Sequence, residues 1–166
     1  MRILLVRHPA PDIAPGHCYG RLDVGLSAAG LLAADGLRAR LGAAGIAQRT
    51  SSPARRCRTI DEAATLDDRL QELDFGAWEG RPWDGIDRAA LDAWAADPLG
   101  FAPPGGETGA ALLARVTAFA TDLLRRGQDA IVITHGGPLR LLPALLQGQT
   151  PDLLAPAPPF GAVVEL

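Results

Sequence analysis

The 166-residue chain is 48% hydrophobic and 21% charged, with a formal net charge of -3, a balance that excludes both a disordered chain and a membrane-saturated one. Its length fits one domain of roughly 100–200 residues. The negative balance argues against a nucleic-acid platform, which needs a basic surface stripe, and no stretch offers the ~20 uncharged apolar residues of a membrane-spanning helix.

Arg2 to Val6 is a continuous apolar run that ends in a segment dense in Pro and Gly from Pro9 to Gly20, so a buried strand entering a long loop is expected. The run is shorter than the ~7–15-residue core of a signal peptide and is broken by Arg7-His8. Cys18 and Cys57 show no CxxC spacing, so free thiols in a cytoplasmic protein are expected. Ser27 is placed to cap a helix running to about Ala44, with Leu31, Leu32, Leu37 and Leu41 as its apolar stripe and Gly45 ending it. Ile46 to Ser51 fits a second strand. Ser52-Pro53 then predicts a capped helix reaching roughly Ala64.

From Leu66 to Gly80 no helical period is present, and the mixture of carboxylates, aromatics and glycines predicts an ordered functional loop with at most a short strand. Ile86 to Ala96 predicts a helix. Pro98 to Gly106 interrupts the chain, and Glu107 to Arg126 carries the strongest helical pattern, with Leu112, Leu113, Val116, Phe119, Leu123 and Leu124 as its apolar positions. Asp129 to Thr134 reads as another buried strand, followed by His135-Gly136-Gly137 and an apolar helix from Pro138 to Leu146. A last strand, Ala162 to Leu166, is expected at an edge. Strands alternating with helices predict a single three-layer α/β domain with a largely parallel central sheet and helices on both faces.

Sites in such folds lie beyond the carboxyl ends of the strands. His8, Ser51-Ser52 and His135 each follow a predicted strand, so three distant motifs should meet at one rim. A lone His at a strand end is more often structural than catalytic, but His135 opens a helix flanked by glycine amides that attract anions. Arg55, Arg56 and Arg58 fall in the first turn of a helix, where the dipole disfavours cations unless an anion lies there. Glu72 to Gly80 packs carboxylates among aromatics, the setting in which a carboxyl can deliver a proton near neutral pH. All sixteen basic residues are Arg; GC-rich coding is the better account of that, although each guanidinium can also grip a phosphate.

Taken together, Leu5-Val6-Arg7-His8, Gly20-Arg21-Leu22-Asp23 with Leu26-Ser27 and Gly30, Ser51-Ser52-Pro53 through Arg56, Glu72 through Gly80, and His135-Gly136-Gly137 resemble the histidine phosphatase superfamily, which is phosphoglycerate mutase-like in fold. The resemblance spans nearly the whole chain. It implies a phosphomonoester hydrolase in which His8 accepts the phosphoryl group, Arg7 and Arg56 clamp it, His135 donates a hydrogen bond and Glu72 moves the proton, with no metal or cofactor. Gly136 would add a backbone donor. The family's usual Gly, Thr and Asn after the first histidine are replaced by Pro9, Pro11 and about Ala14, and Tyr19 or Arg21 would stand in for the missing donors. The carbonyl of Pro9 remains available to orient the His8 ring. Counting from Ser52 selects Arg56 as the second clamp, and counting back from Thr59 selects Arg55.

The compact length favours hydrolysis over mutase chemistry, and the Asp74 to Gly80 and Pro103 to Thr108 segments are most similar to α-ribazole phosphatase-type members. The implied partner is a small-molecule phosphate ester, with monomer and homodimer both open. The alternatives are a non-catalytic phosphate-binding module and a phosphoglycerate mutase-type phosphotransferase. A metal hydrolase built on His8, His17 and His135 is weaker, because no carboxylate stands at a ligand spacing from any of them. Core packing is the expected role of Cys18, Cys57 and Trp94, while Trp78 and Trp83 could wall the substrate site.

Overall fold

The computed structural model describes all residues, 1–166. Its strands are β1 (Ile3–Arg7), β2 (Gln48–Ser51), β3 (Thr65–Leu66), β4 (Ala130–Thr134) and β5 (Val163–Glu165). They order as β3-β2-β4-β1-β5, all parallel except β5, which pairs antiparallel with β1 at the edge. The helices are α1 (Ala28–Ala43), α2 (Arg55–Arg58), α3 (Arg88–Ala96), α4 (Gly109–Arg126) and α5 (Gly136–Leu146).

The apolar runs in β1 and β4 follow from their central position. Alternate side chains feed two cores: Ile3, Leu5, Ala130 and Val132 pack with Leu112, Val116 and Phe119 of α4 and with α5. Leu4, Val6, Ile131 and Ile133 pack on the other face with Leu37 and Leu41 of α1. Each of these side chains larger than Ala130 contributes ~1.5–3 kcal/mol on burial, and two covered faces leave no room for polar alternation. The result is a single α/β domain of three layers. No helix is long and apolar enough to cross a membrane.

Two elements depart from expectation. In α1 the buried stripe is Gly30, Ala34, Leu37 and Leu41, whereas Leu31 and Leu32 face solvent. Gly30 belongs to that stripe because a β-carbon there would stand 2.2 Å from the carbonyl oxygen of Ala10; the helix is pressed against the loop after β1. Ser27 does cap α1, accepting from the Gly30 N–H at 3.1 Å.

The helix expected to reach Ala64 is only Arg55–Arg58. Asp61 closes a turn by accepting from Ala63 N while pairing with Arg49 at 3.0 Å, and the chain reverses there to lay β3 beside β2. Ser52 does not cap this helix. The Asp23 carboxylate takes the Arg55 N–H at 2.7 Å, leaving the Ser52 hydroxyl for another partner.

Candidate active site

Three strand ends converge as anticipated. His8 follows β1, Ser52 follows β2 and His135 follows β4, and the rings of His8 and His135 meet edge to face with centroids 5.1 Å apart. Both histidines are buried, His8 at 1% exposure and His135 at 0%. His8 Nδ1 lies 2.7 Å from the Pro9 carbonyl oxygen, which can only accept, so Nδ1 carries the proton and Nε2 keeps its lone pair. Burial first, and then the Arg56 charge, push the His8 pKa down to about 3, against the Pro9 hydrogen bond that opposes them. The ring is therefore neutral in neutral water. Burial, followed by the charge of Arg56, lowers His135 in the same direction.

The two guanidiniums are held differently. Arg56 is fully buried, and its terminal nitrogens donate to the carbonyls of Leu22 at 3.0 Å and Gly20 at 2.6 Å. Arg55 faces solvent, so of the two alternatives Arg56 is the one that neighbours the histidines. Arg58 is exposed as well; only one of the three arginines turns inward. The Arg7 guanidinium lies over the Phe160 ring, 4.2 Å from its centroid, and donates to the Pro158 carbonyl. Burial lowers its pKa, partly offset by Tyr19 and Glu72. The Nε atoms of Arg7 and Arg56 are both buried with no partner from the protein, an arrangement that costs stability unless an anion is received.

Glu72 caps α5. Its carboxylate accepts from Gly137 N at 3.1 and 3.0 Å and from Leu73 N at 2.9 Å. A β-carbon on residue 137 would stand 2.1 Å from Glu72 Oε1, so glycine is required for this approach. The main-chain carbonyl of Glu72 accepts from Arg21 Nε and from Arg115, each at 3.0 Å. Arg115 also donates to the carbonyls of Arg69 and Gln71 and pairs with Glu107, which makes it the anchor of the whole loop.

Glu79 ties that loop to the Gly20–Leu22 segment by accepting from the N–H groups of Arg21, Leu22 and Phe75. Arg21 Nε is used in this scaffold, and its side chain also borders a cavity shared with Glu72 and His135. Tyr19, by contrast, lines the main cavity, with its ring 5.3 Å from the Arg56 guanidinium.

That cavity holds about 440 Å³ and is lined at one end by Arg7, Tyr19, Glu72, Gly136 and Arg140. A smaller cavity of about 190 Å³, bordered by Arg21, Asp23 and Gln71, touches the other side of Glu72 and His135. Such clefts, with apolar walls and a few convergent polar groups, are the usual form of small-molecule sites.

The sequence-level reading missed three participants. Ser52 Oγ lies 2.7 Å from His135 Nε2 and so orients that ring, a role hidden because the local pattern read as a helix cap. Arg140 is the only charged residue in α5, and a lone cation in an apolar helix was the available signal. Trp94, expected in the core, presents part of its surface to the main cavity beside Trp83, whereas Trp78 is buried. The two cysteines are buried free thiols, each pushed up to about 12 by burial.

Residues 3–159 match the family model of the histidine phosphatase superfamily, branch 1. The chain belongs to that superfamily. Among curated proteins it is 35% identical over 153 residues to the bifunctional protein Rv2228c of Mycobacterium tuberculosis, covering 82% of this chain and 38% of that protein. It thus spans well under half the length of such relatives. Among solved structures of similar fold, TTHB049 from Thermus thermophilus aligns with a TM-score of 0.78 at 33% identity, covering 100% of this chain and 93% of the other. The α-ribazole phosphatase from Shigella flexneri aligns with a TM-score of 0.80 at 27% identity, covering 90% and 81%. As a histidine phosphatase superfamily member, the chain carries His8 and His135 where the strand ends meet.

Proposed function

We propose that the protein hydrolyses phosphate monoesters of small metabolites through a phosphohistidine on His8, without a metal ion or cofactor. The observation that carries this reading is the state of His8: neutral, buried and pinned through Nδ1 to Pro9, with Nε2 as the free nucleophile. Attack by Nε2 on phosphorus forms the N–P bond and breaks the ester P–O bond. Glu72, protonated at that moment, gives its proton to the departing alkoxide. The resulting carboxylate then takes a proton from water as the water oxygen attacks phosphorus, and the N–P bond breaks to restore neutral His8.

Arg7, Arg56, Tyr19 and the N-terminus of α5 at Gly136 supply the positive potential for the phosphoryl oxygens. Ser52 holds His135 so that its ring stands against that of His8. Phosphoryl transfer asks mainly for placement and charge stabilisation, which these groups supply. Two buried free thiols support a reducing, cytoplasmic setting. The likeness to the Shigella α-ribazole phosphatase supports α-ribazole 5'-phosphate as the first physiological substrate to try.

Release of p-nitrophenol from p-nitrophenyl phosphate, compared between wild type and His8→Ala from acid to neutral pH, tests the reading. Turnover in the wild type that vanishes in the variant, with acid-labile phosphate trapped on the wild-type protein, is expected. Wild-type release no greater than the variant's would make the protein a phosphate binder instead.

A further inference from the structure

We propose that the main cavity selects phosphate esters whose leaving group carries a planar aromatic ring, with Trp83 as the specificity-determining residue; this rests on the phosphatase reading above. The rings of Trp83 and Trp94 stack nearly parallel, 5° apart with centroids 6.1 Å from each other. Phe75 meets both edge-on, at 5.5 and 5.8 Å. All three line the cavity, and Leu73, Leu112, Leu153, Leu154 and Ala157 add to its apolar lining. Offset and edge-on ring contacts of this kind favour a further planar ring over an aliphatic group of similar size.

Charge distribution points the same way. The charged residues that line the cavity are Arg7, Glu72 and Arg140, and His17, bridged to Pro82, adds an imidazole next to Trp83. Arg140 stands one helical turn beyond Gly136 on α5 and is close enough to act on the titration of Arg7, so all three belong to the phosphoryl end. The aromatic end offers no arginine to a carboxylate or second phosphate on the leaving group, and His17 is its one ionisable side chain. An uncharged aromatic alcohol fits it, whereas a phosphorylated hydroxy or amino acid would place its carboxylate among tryptophans.

The test uses two alkyl esters with similar leaving groups, 2-naphthylmethyl phosphate and cyclohexylmethyl phosphate, so that leaving-group basicity does not decide the outcome. Wild-type kcat/KM is expected to favour the naphthylmethyl ester by about ten-fold or more, with most of the preference lost in Trp83→Ala and largely kept in Trp83→Phe. Equal kcat/KM for the two esters in the wild type would overturn the inference while leaving the phosphatase reading intact. Binding is measured separately, as quenching of tryptophan fluorescence by 2-naphthalenemethanol in His8→Ala. Saturable quenching, absent with Trp83→Ala added, supports the aromatic slot even if no ester is turned over; no quenching refutes it.

Discussion

Acid should weaken this fold through His8 itself. In the folded protein His8 titrates near 3, because burial and then Arg56 disfavour the imidazolium; an unfolded histidine titrates near 6.5. Between those values the unfolded chain binds more protons. The stability linked to His8 is therefore fully present above pH ~6.5 and is lost as pH falls toward 3. Between pH 7 and pH 4 the loss is about 3 kcal/mol, since each unit of separation is worth ~1.4 kcal/mol and roughly 2.5 units are traversed. Urea unfolding of the wild type and of His8→Asn at both pH values, in phosphate-free buffer, measures it. His135 is shifted in the same direction and is present in both proteins, so much of its contribution cancels in the comparison. The wild type should lose about 3 kcal/mol more than the variant. Equal losses would mean that His8 is not held neutral by the fold, and the nucleophile assignment would go with it.

Gly137→Ala should displace the Glu72 carboxylate, which a β-carbon would meet at 2.1 Å. Its kcat for alkyl esters is expected to fall by about 10²-fold, at the lower end of general-acid effects, with a smaller loss for p-nitrophenyl phosphate; equal losses on both would remove Glu72 from proton transfer. Arg140→Ala should reduce kcat/KM severalfold and flatten its dependence on ionic strength, because an exposed cation at the mouth attracts dianionic esters; an unchanged salt profile would count against that role. Arg115→Ala should cost about 3 kcal/mol in urea unfolding, since it removes the ion pair of Glu107 and strands the carbonyls of Arg69 and Gln71. A loss under 1 kcal/mol would show that the Glu72 loop has another anchor.

Much of this architecture was readable in the residues. The apolar runs of β1 and β4, and the helical pattern closed by Gly127 in α4, obey local rules that the tertiary structure respects. His8 and His135 could be placed at one rim because strand ends in parallel sheets face one way. What escaped notice was settled by contacts between distant segments. Leu31 and Leu32 looked like core, but the close approach of Ala10 to Gly30 rotates α1 so that they face solvent. Ser52 looked like a cap, but Asp23 takes that task and frees the hydroxyl for His135. Trp94 sits on a helix with no buried residue, and only the fold brings it to Trp83.

The placement of β1 between β4 and β5 has a consequence for synthesis on the ribosome. β1 ends at Arg7, yet both of the strands that flank it lie beyond residue 129. At ~5–20 residues per second, it must wait several seconds for them, an apolar ribbon with neither edge covered. His8 is thus not held in place until residues 130–134 have been made and paired, and during that interval this ribbon is exposed to mispairing and in need of a chaperone.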